Sequence, residues 1–134
     1  MGYILDTNIV TAFNKGNEKI KKKLQTVSLY GESVFIDGIV YYETKRGLLD
    51  TNATKQSKIF DELCRKFRIL FLDNREVFNK ASEIYVDLKQ KGELIKDADI
   101  LIAAMALTRN LTIVSDDSHF SRIQGVIVEN WLRV

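Results

Sequence analysis

The chain has 134 residues, 46% hydrophobic and 28% charged, with a formal net charge of only +2, which excludes a strongly basic nucleic-acid binder. One cysteine and one histidine exclude an internal disulfide and a zinc site built from thiolate and imidazole ligands. No apolar run is long enough to span a membrane and no signal peptide is recognisable, so we expect a cytoplasmic protein with no membrane partner.

Five short apolar runs predict strands, and segments with helical periodicity separate them. In chain order these strands lie at residues 3–5, 33–36, 68–72, 111–114 and 126–128. Strands that alternate with helices predict an α/β domain whose sheet is mostly parallel and covered on both faces. We find no linker, and therefore expect one domain over residues 1–134.

Two of the intervening segments have clear helical patterns. Before Gly92, which is a plausible helix end, one apolar stripe recurs at spacings of three and four through Phe78, Ala81, Ile84, Tyr85 and Leu88. Asp73 and Glu76 resemble a capping box at the start of that helix. The segment at residues 100–107, "ILIAAMAL", is apolar nearly all round and predicts a helix buried in the core.

Acidic residues gather where predicted strands end and helices begin. They are Asp6, Asp37, Glu43, Asp97, Asp99, Asp116 and Asp117. Helix capping explains aspartates at such positions, and Asp97 suits the N-cap of the buried helix. Glu43 resists this explanation because it lies in the middle of a predicted helix among apolar neighbours.

Parallel strands bring their carboxyl ends to one edge of a sheet, so several of these carboxylates are expected to converge there. Carboxylates without matching cations repel one another and raise each other's pKa. A divalent cation resolves the repulsion, and oxygen ligands favour Mg²⁺ or Mn²⁺. Such a site suits the hydrolysis of phosphate esters.

Four stretches of the chain, taken together and in order, resemble the PIN-domain family and, within it, the VapC-type toxins of bacterial toxin–antitoxin pairs. They are "ILDTNIV", "IDGIVYYETKRGLL", "DADILIAAMAL" and "LTIVSDDSHFSRIQGVIVENW". The resemblance implies a three-layer α/β/α fold with a central, mostly parallel sheet of four or five strands. It also implies an Mg²⁺- or Mn²⁺-dependent endoribonuclease that cleaves tRNA or another structured RNA. The implied partners are a cognate VapB-like antitoxin, which inhibits the enzyme, and a second copy of the chain in a homodimer.

The resemblance also implies roles for individual residues. Catalytic, metal-binding roles fall to Asp6, Glu43, Asp99 and Asp117, with the neighbouring Asp116 left open as an alternative ligand. Supporting roles fall to Asn8, Ser115 and Asp97. We expect His119 to be a surface or helix-capping residue rather than a catalytic base.

The sequence leaves two alternatives open. One is a PIN-like module that binds RNA or a partner but has lost its nuclease activity, and another is DNA as the substrate. A haloacid-dehalogenase-like phosphatase is disfavoured because Asn8 stands where its second aspartate is needed, and a receiver domain lacks its paired acids. Basic residues that could hold flanking phosphates are Lys45, Arg46, Arg122 and the run from Lys19 to Lys23.

Overall fold

A five-stranded, wholly parallel sheet forms the centre of the protein in a computed structural model that describes residues 2–133. The strand order is β3-β2-β1-β4-β5. The strands are β1 (Gly2–Leu5), β2 (Ser33–Asp37), β3 (Arg68–Leu70), β4 (Thr112–Val114) and β5 (Val128–Glu129). All five predicted strands are therefore present, although the third is shorter than predicted and the fifth begins two residues later.

Six α-helices connect the strands and cover the sheet on both faces. They are α1 (Thr7–Asn14), α2 (Glu18–Leu29), α3 (Gly38–Asp50), α4 (Thr54–Lys66), α5 (Arg75–Lys91) and α6 (Asp97–Arg109). A 3₁₀ helix at Ser118–Arg122 follows β4. Helices α1 to α4 contact one another, and α5 packs on α6. The chain runs outward from β1 to β3 and then crosses back to β4, so right-handed crossovers place these two groups on opposite faces. The predicted three-layer α/β/α architecture is confirmed.

The start and the buried face of α5 differ from the prediction. Asn74 rather than Asp73 caps the helix, and its side-chain oxygen accepts a hydrogen bond from the backbone N–H of Glu76. Phe78 and Tyr85 are 46% and 40% exposed, because α5 is rotated relative to the predicted stripe. The stripe that faces the core comprises Val77, Ala81, Ile84 and Leu88. Gly92 ends the helix as predicted, in the left-handed conformation with φ 68°.

Helix α6 is buried as its apolar sequence predicts. Its residues from Ile102 to Ala106 are almost completely inaccessible to solvent. The predicted N-cap is wrong by one residue, because Lys96 occupies the cap position and Asp97 is the first residue of the helix, with an exposed side chain. The side chain of Lys96 makes no capping hydrogen bond. None of the described helices is long and apolar enough to cross a membrane.

The centre of the sheet positions the acidic residues. Strand β1 lies between β2 and β4, and the backbone N–H of Asp6, just beyond β1, donates to the carbonyl of Val114 at 2.9 Å. The strand order reverses between β1 and β4, and crevices at such switch points are the usual ligand sites of open parallel sheets. Asp6 and Ser115 leave the sheet at this point.

Candidate metal centre

Asp6 is a buried carboxylate at the start of α1. Only 3% of the residue is exposed. Its Oδ1 accepts the backbone N–H of Thr7 at 2.8 Å, and its Oδ2 accepts the Ser115 hydroxyl at 2.8 Å. Burial raises the pKa of Asp6, although these two hydrogen bonds act in the opposite direction. Asp6 therefore both caps a helix and presents a carboxylate that is costly to keep charged.

Ser115 and Asn8 connect the ends of β1 and β4. The Ser115 hydroxyl, which donates to Asp6, also accepts the backbone N–H of Asp117 at 3.0 Å. The Asn8 side chain accepts the backbone N–H of Asp116 at 3.2 Å and donates to Asp117 Oδ2 at 3.3 Å. Both residues were predicted to support the acidic cluster, and the structure places both between its members.

Asp99 enters the cluster from the first turn of the buried helix. The residue is 2% exposed, and among the described residues its Oδ2 has no hydrogen-bond partner. Burial raises the pKa of Asp99, and the nearby charge of Asp6 raises it further. His119 Nε2 lies 2.9 Å from Asp99 Oδ2. The expectation that His119 is a surface or capping residue is therefore wrong: the 3₁₀ helix turns its ring into the acidic cluster.

Glu43 reaches the cluster from the middle of α3. Its Oε1 accepts the hydroxyl hydrogen of Thr7 at 2.8 Å. Thr7 also donates its backbone N–H to Asp6. Thr7 therefore links the carboxylates of Asp6 and Glu43, which are far apart in sequence. Glu43 is half-buried, which agrees with the sequence argument that it is more than an exposed helix residue.

Asp37 is a further buried carboxylate at this edge of the sheet. It is the last residue of β2 and caps α3, where its Oδ1 accepts the backbone N–H of Val40 at 2.7 Å. Burial raises its pKa to about 6, and the charges of Asp6 and Glu43 contribute to the rise. Asp37 thus caps α3, although its burial makes the charged carboxylate unfavourable.

Two predicted residues have other surroundings. Asp116 Oδ1 accepts hydrogen bonds from Asn130 Nδ2 at 2.7 Å and from Arg133 Nε at 2.9 Å, and these bonds lower its pKa. Asp116 therefore pairs with side chains of the segment after β5, whereas Asp117 lines the acidic cavity. Asp97 lines a different depression, between α5 and α6.

The acidic cavity has a volume of about 370 Å³ and opens between α1 and α6. Its lining is polar and comprises Asp6, Thr7, Asn8, Thr11, Lys96, Asp99 and Asp117. Lys96 supplies a positive charge that lowers the pKa of both Asp6 and Asp99. Lys96 and Thr7 were not predicted from the sequence. The available signals were a lysine three residues before Asp99 and a hydroxyl directly after Asp6.

The residues present fit a divalent cation. Asp99, Asp117 and His119 each offer one ligand atom, and these atoms lie within 4.8 Å of one another. The unpartnered Oδ2 of Asp99 is a buried acceptor of the kind that a bound cation satisfies. Burial is the main cause of the raised pKa of Asp6 and of Asp99, and a cation bound beside them would stabilise their charged forms.

Other basic residues proposed from the sequence have partners of their own. Lys45 Nζ lies 3.5 Å from Asp61 on α4, and the Arg46 guanidinium lies 5.0 Å from the centre of the Tyr42 ring. Arg122 Nε is 4.0 Å from Glu93.

Comparisons with known proteins agree with this geometry. The PIN domain family model matches residues 3–126. The chain is 31% identical to Ribonuclease VapC2 of Rickettsia felis, over 98% of both chains. It is 32% identical to Ribonuclease VapC1 of Methanocaldococcus jannaschii, over 90% of this chain and 80% of that protein.

Solved structures are similar as well. The VapBC2 complex from Rickettsia felis, bound to a DNA fragment from its promoter, contains a chain with a TM-score of 0.88 and 30% identity, with 98% of this chain and 99% of that chain covered. A chain of VapBC-1 from nontypeable Haemophilus influenzae has a TM-score of 0.86 at 24% identity, over 99% of this chain and all of that one. The second similarity shows the shared fold.

Proposed function

This chain belongs to the PIN-domain family, and on that basis we propose that it is a metal-dependent endoribonuclease toxin restrained by a cognate antitoxin. Its relatives include proteins named as ribonucleases, at 31% and 32% identity. The observation that carries the proposal is the acidic cavity, where the buried carboxylates of Asp6, just after β1, and Asp99, on α6, meet the exposed carboxylate of Asp117, from the segment after β4.

We assign the metal-holding role to Asp6, Asp99 and Asp117, with Glu43 beside them through its contact with Thr7. Mg²⁺ and Mn²⁺ are the ions in keeping with carboxylate ligands. When bound, such an ion supplies charge that stabilises the developing negative charge on phosphate oxygens and makes water a better nucleophile.

The chain's own residues hold this arrangement in place. Ser115 fixes Asp6 and the backbone of Asp117 at once. Asn8 sets the distance between Asp117 and the end of β1. Thr7 orients Glu43. Because each hydrogen bond restricts the rotation of a carboxylate, the site is ordered before substrate arrives.

The substrate that we propose is a phosphodiester bond of RNA, in tRNA or another structured RNA. The cavity is open to solvent at Lys96, whose ammonium is placed to attract a phosphate that approaches the carboxylates. We propose a cytoplasmic location, because that is where such an RNA substrate is found.

The restraining partner that we propose is a VapB-like antitoxin. It is supported by the similarity, at 30% identity, to a chain of the Rickettsia felis VapBC2 complex. We also propose a homodimer, supported by exposed apolar side chains on α5, namely Phe78, Tyr85 and Val86, since contiguous apolar surface of this kind marks interfaces. Light scattering on purified protein, with Val86→Glu as the disrupting variant, tests the dimer.

The function is tested by incubating purified protein with total tRNA and a pool of structured RNAs, with Mg²⁺, with Mn²⁺ or with chelator. Asp6→Asn, Asp99→Asn and Asp117→Asn keep the side-chain size and remove the charge. Each is expected to abolish cleavage. Asp73→Asn serves as the matched control because Asp73 is exposed in the loop before α5.

The outcomes separate the possibilities. Metal-dependent cleavage that the three variants lose supports the nuclease and supplies fragments whose ends can be sequenced. RNA binding without cleavage by the folded wild type would contradict the enzyme and favour the inactive binding module. Asp116→Asn in the same assay decides the fourth acid: loss of activity there, with activity kept in Asp117→Asn, would overturn our assignment.

A further inference from the structure

We infer that His119 is a nitrogen ligand of the cation site, and that this site therefore selects a first-row transition metal such as Mn²⁺ over Mg²⁺. The inference rests on the proposed function in one respect only, which is that the acidic cavity binds a divalent cation. It adds a ligand, and a metal preference that follows from that ligand.

The contact between His119 and Asp99 has the distance of a hydrogen bond without being one. Nε2 and Oδ2 are 2.9 Å apart. Both atoms are shielded from solvent, yet neither has a hydrogen-bond partner within residues 2–133. The Asp99 side chain is only 3% exposed. A third group placed between two such buried polar atoms can satisfy both of them.

A shared cation accounts for that separation. Ligand atoms bound at about 2.1 Å in an octahedral site are about 3.0 Å from their nearest neighbours. The distance between Nε2 and Asp99 Oδ2 is close to this value. Asp117 Oδ2 lies 3.9 Å from the same nitrogen. This distance is longer than that between adjacent ligands of an octahedral site and shorter than that between opposite ligands. One ligand atom from each of the three side chains lies within 4.8 Å of the other two, a spacing that a single cation can bridge.

The surroundings of the ring hold it in this position. Phe120, the next residue, is completely buried, and its ring centre lies 4.8 Å from that of His119. The His119 side chain is 24% exposed. The 3₁₀ helix is thus anchored by Phe120 while His119 faces the cluster, so the imidazole is directed by packing and not only by its attraction to Asp99.

Ligand chemistry then sets the metal preference. Mg²⁺ prefers oxygen donors and keeps much of its water, whereas imidazole nitrogen favours first-row transition metals, whose affinity for such a site rises from Mn²⁺ onward. A site that adds one imidazole to its carboxylates is expected to hold Mn²⁺ more tightly than the same carboxylates alone.

His119 is the single histidine of the chain, which makes the test direct. Protein without a histidine tag is loaded with Mn²⁺, and electron spin-echo envelope modulation is recorded. We expect a nitrogen coupling typical of directly bound imidazole, absent in His119→Gln. Calorimetry is expected to show Mn²⁺ bound about tenfold more weakly by His119→Gln, with a smaller change for Mg²⁺. Asp99→Asn removes a carboxylate charge from the cluster and leaves the imidazole in place, so Mn²⁺ binding should weaken there while the bound Mn²⁺ keeps its nitrogen coupling.

The outcomes separate this inference from the proposed function. Mn²⁺ bound without nitrogen coupling would overturn the ligand assignment, leave the nuclease standing and favour an ion pair between His119 and Asp99. Nitrogen coupling together with unchanged Mn²⁺ affinity in Asp99→Asn would also overturn it, because His119 would then bind metal outside the cluster. Failure of the wild type to bind either ion would overturn both proposals.

Discussion

Replacing Asp37 with asparagine is expected to stabilise the protein at neutral pH. Asp37 is completely buried, and its Oδ2 has no hydrogen-bond partner among the described residues. Its Oδ1 caps α3 through the N–H of Val40. Asparagine keeps a side-chain oxygen for that cap and carries no charge.

The size of the effect follows from the pKa of Asp37, which burial raises from 3.8 to about 6. A folded-state pKa above the unfolded value means that the folded protein binds the proton more tightly. The free energy of unfolding therefore falls as pH rises from about 4 to about 6, by up to about 3 kcal/mol in total. The difference in unfolding free energy between Asp37→Asn and wild type should grow by about 2 kcal/mol between pH 4 and pH 8.

Urea unfolding measures this difference, with the fluorescence of the single tryptophan, Trp131, as the probe. Trp131 is 2% exposed, so unfolding changes its surroundings strongly. The series is run in chelator so that metal binding does not contribute, and an unchanged m-value confirms comparable unfolding. Asp73→Asn is the exposed control and should shift by no more than about 0.5 kcal/mol at any pH. A difference for Asp37→Asn that stays constant from pH 4 to pH 8 would refute the reasoning.

Three further predictions concern the hydrogen bonds and charge of the acidic cavity. Thr7→Val removes the donor to Glu43 and should lower kcat for RNA cleavage by about tenfold or more, whereas Thr7→Ser should keep most of it. Ser115→Ala leaves Asp6 Oδ2 without its 2.8 Å donor and should cost about 1–3 kcal/mol in a chemical unfolding experiment; a cost near zero would contradict the role assigned to that hydroxyl. Lys96→Met removes a positive charge that lowers the pKa of Asp6 and Asp99. Carboxyl NMR of the metal-free variant should therefore show both carboxylates titrating at higher pH than in wild type. Lys96→Arg keeps the charge and should titrate close to wild type.

The strands and the buried helix could be predicted because each depends on local sequence. Apolar runs marked every strand, and "ILIAAMAL" marked α6. The rotation of α5 could not be predicted in the same way. Phe78 and Val77 are neighbours, and both belong to stripes with helical spacing. Packing against α6 decides which one is buried, and that contact involves residues elsewhere in the chain.

The acidic residues of the cavity could be predicted from the sequence, but most of their hydrogen-bond and ion-pair partners could not. Aspartates after strands could be located because parallel strands end at one edge. The contact of Thr7 with Glu43 joins residues 36 positions apart, and side-chain rotation in the folded protein determines it. For the same reason the sequence could not show that Asp116 pairs with Arg133 or that His119 turns toward Asp99.

The position of β4 beside β1 has a consequence for how the protein becomes active. A chain interrupted before residue 112 contains Asp6, Glu43 and Asp99, but it lacks β4, the Ser115 hydroxyl and Asp117. One of the two neighbours of β1 is thus made more than 100 residues after it, and contacts of this kind form late because the long intervening loop must be closed first. Pairing of β4 with β1 and assembly of the acidic cavity are then one event, so we expect a chain that stops before residue 112 not to cleave RNA.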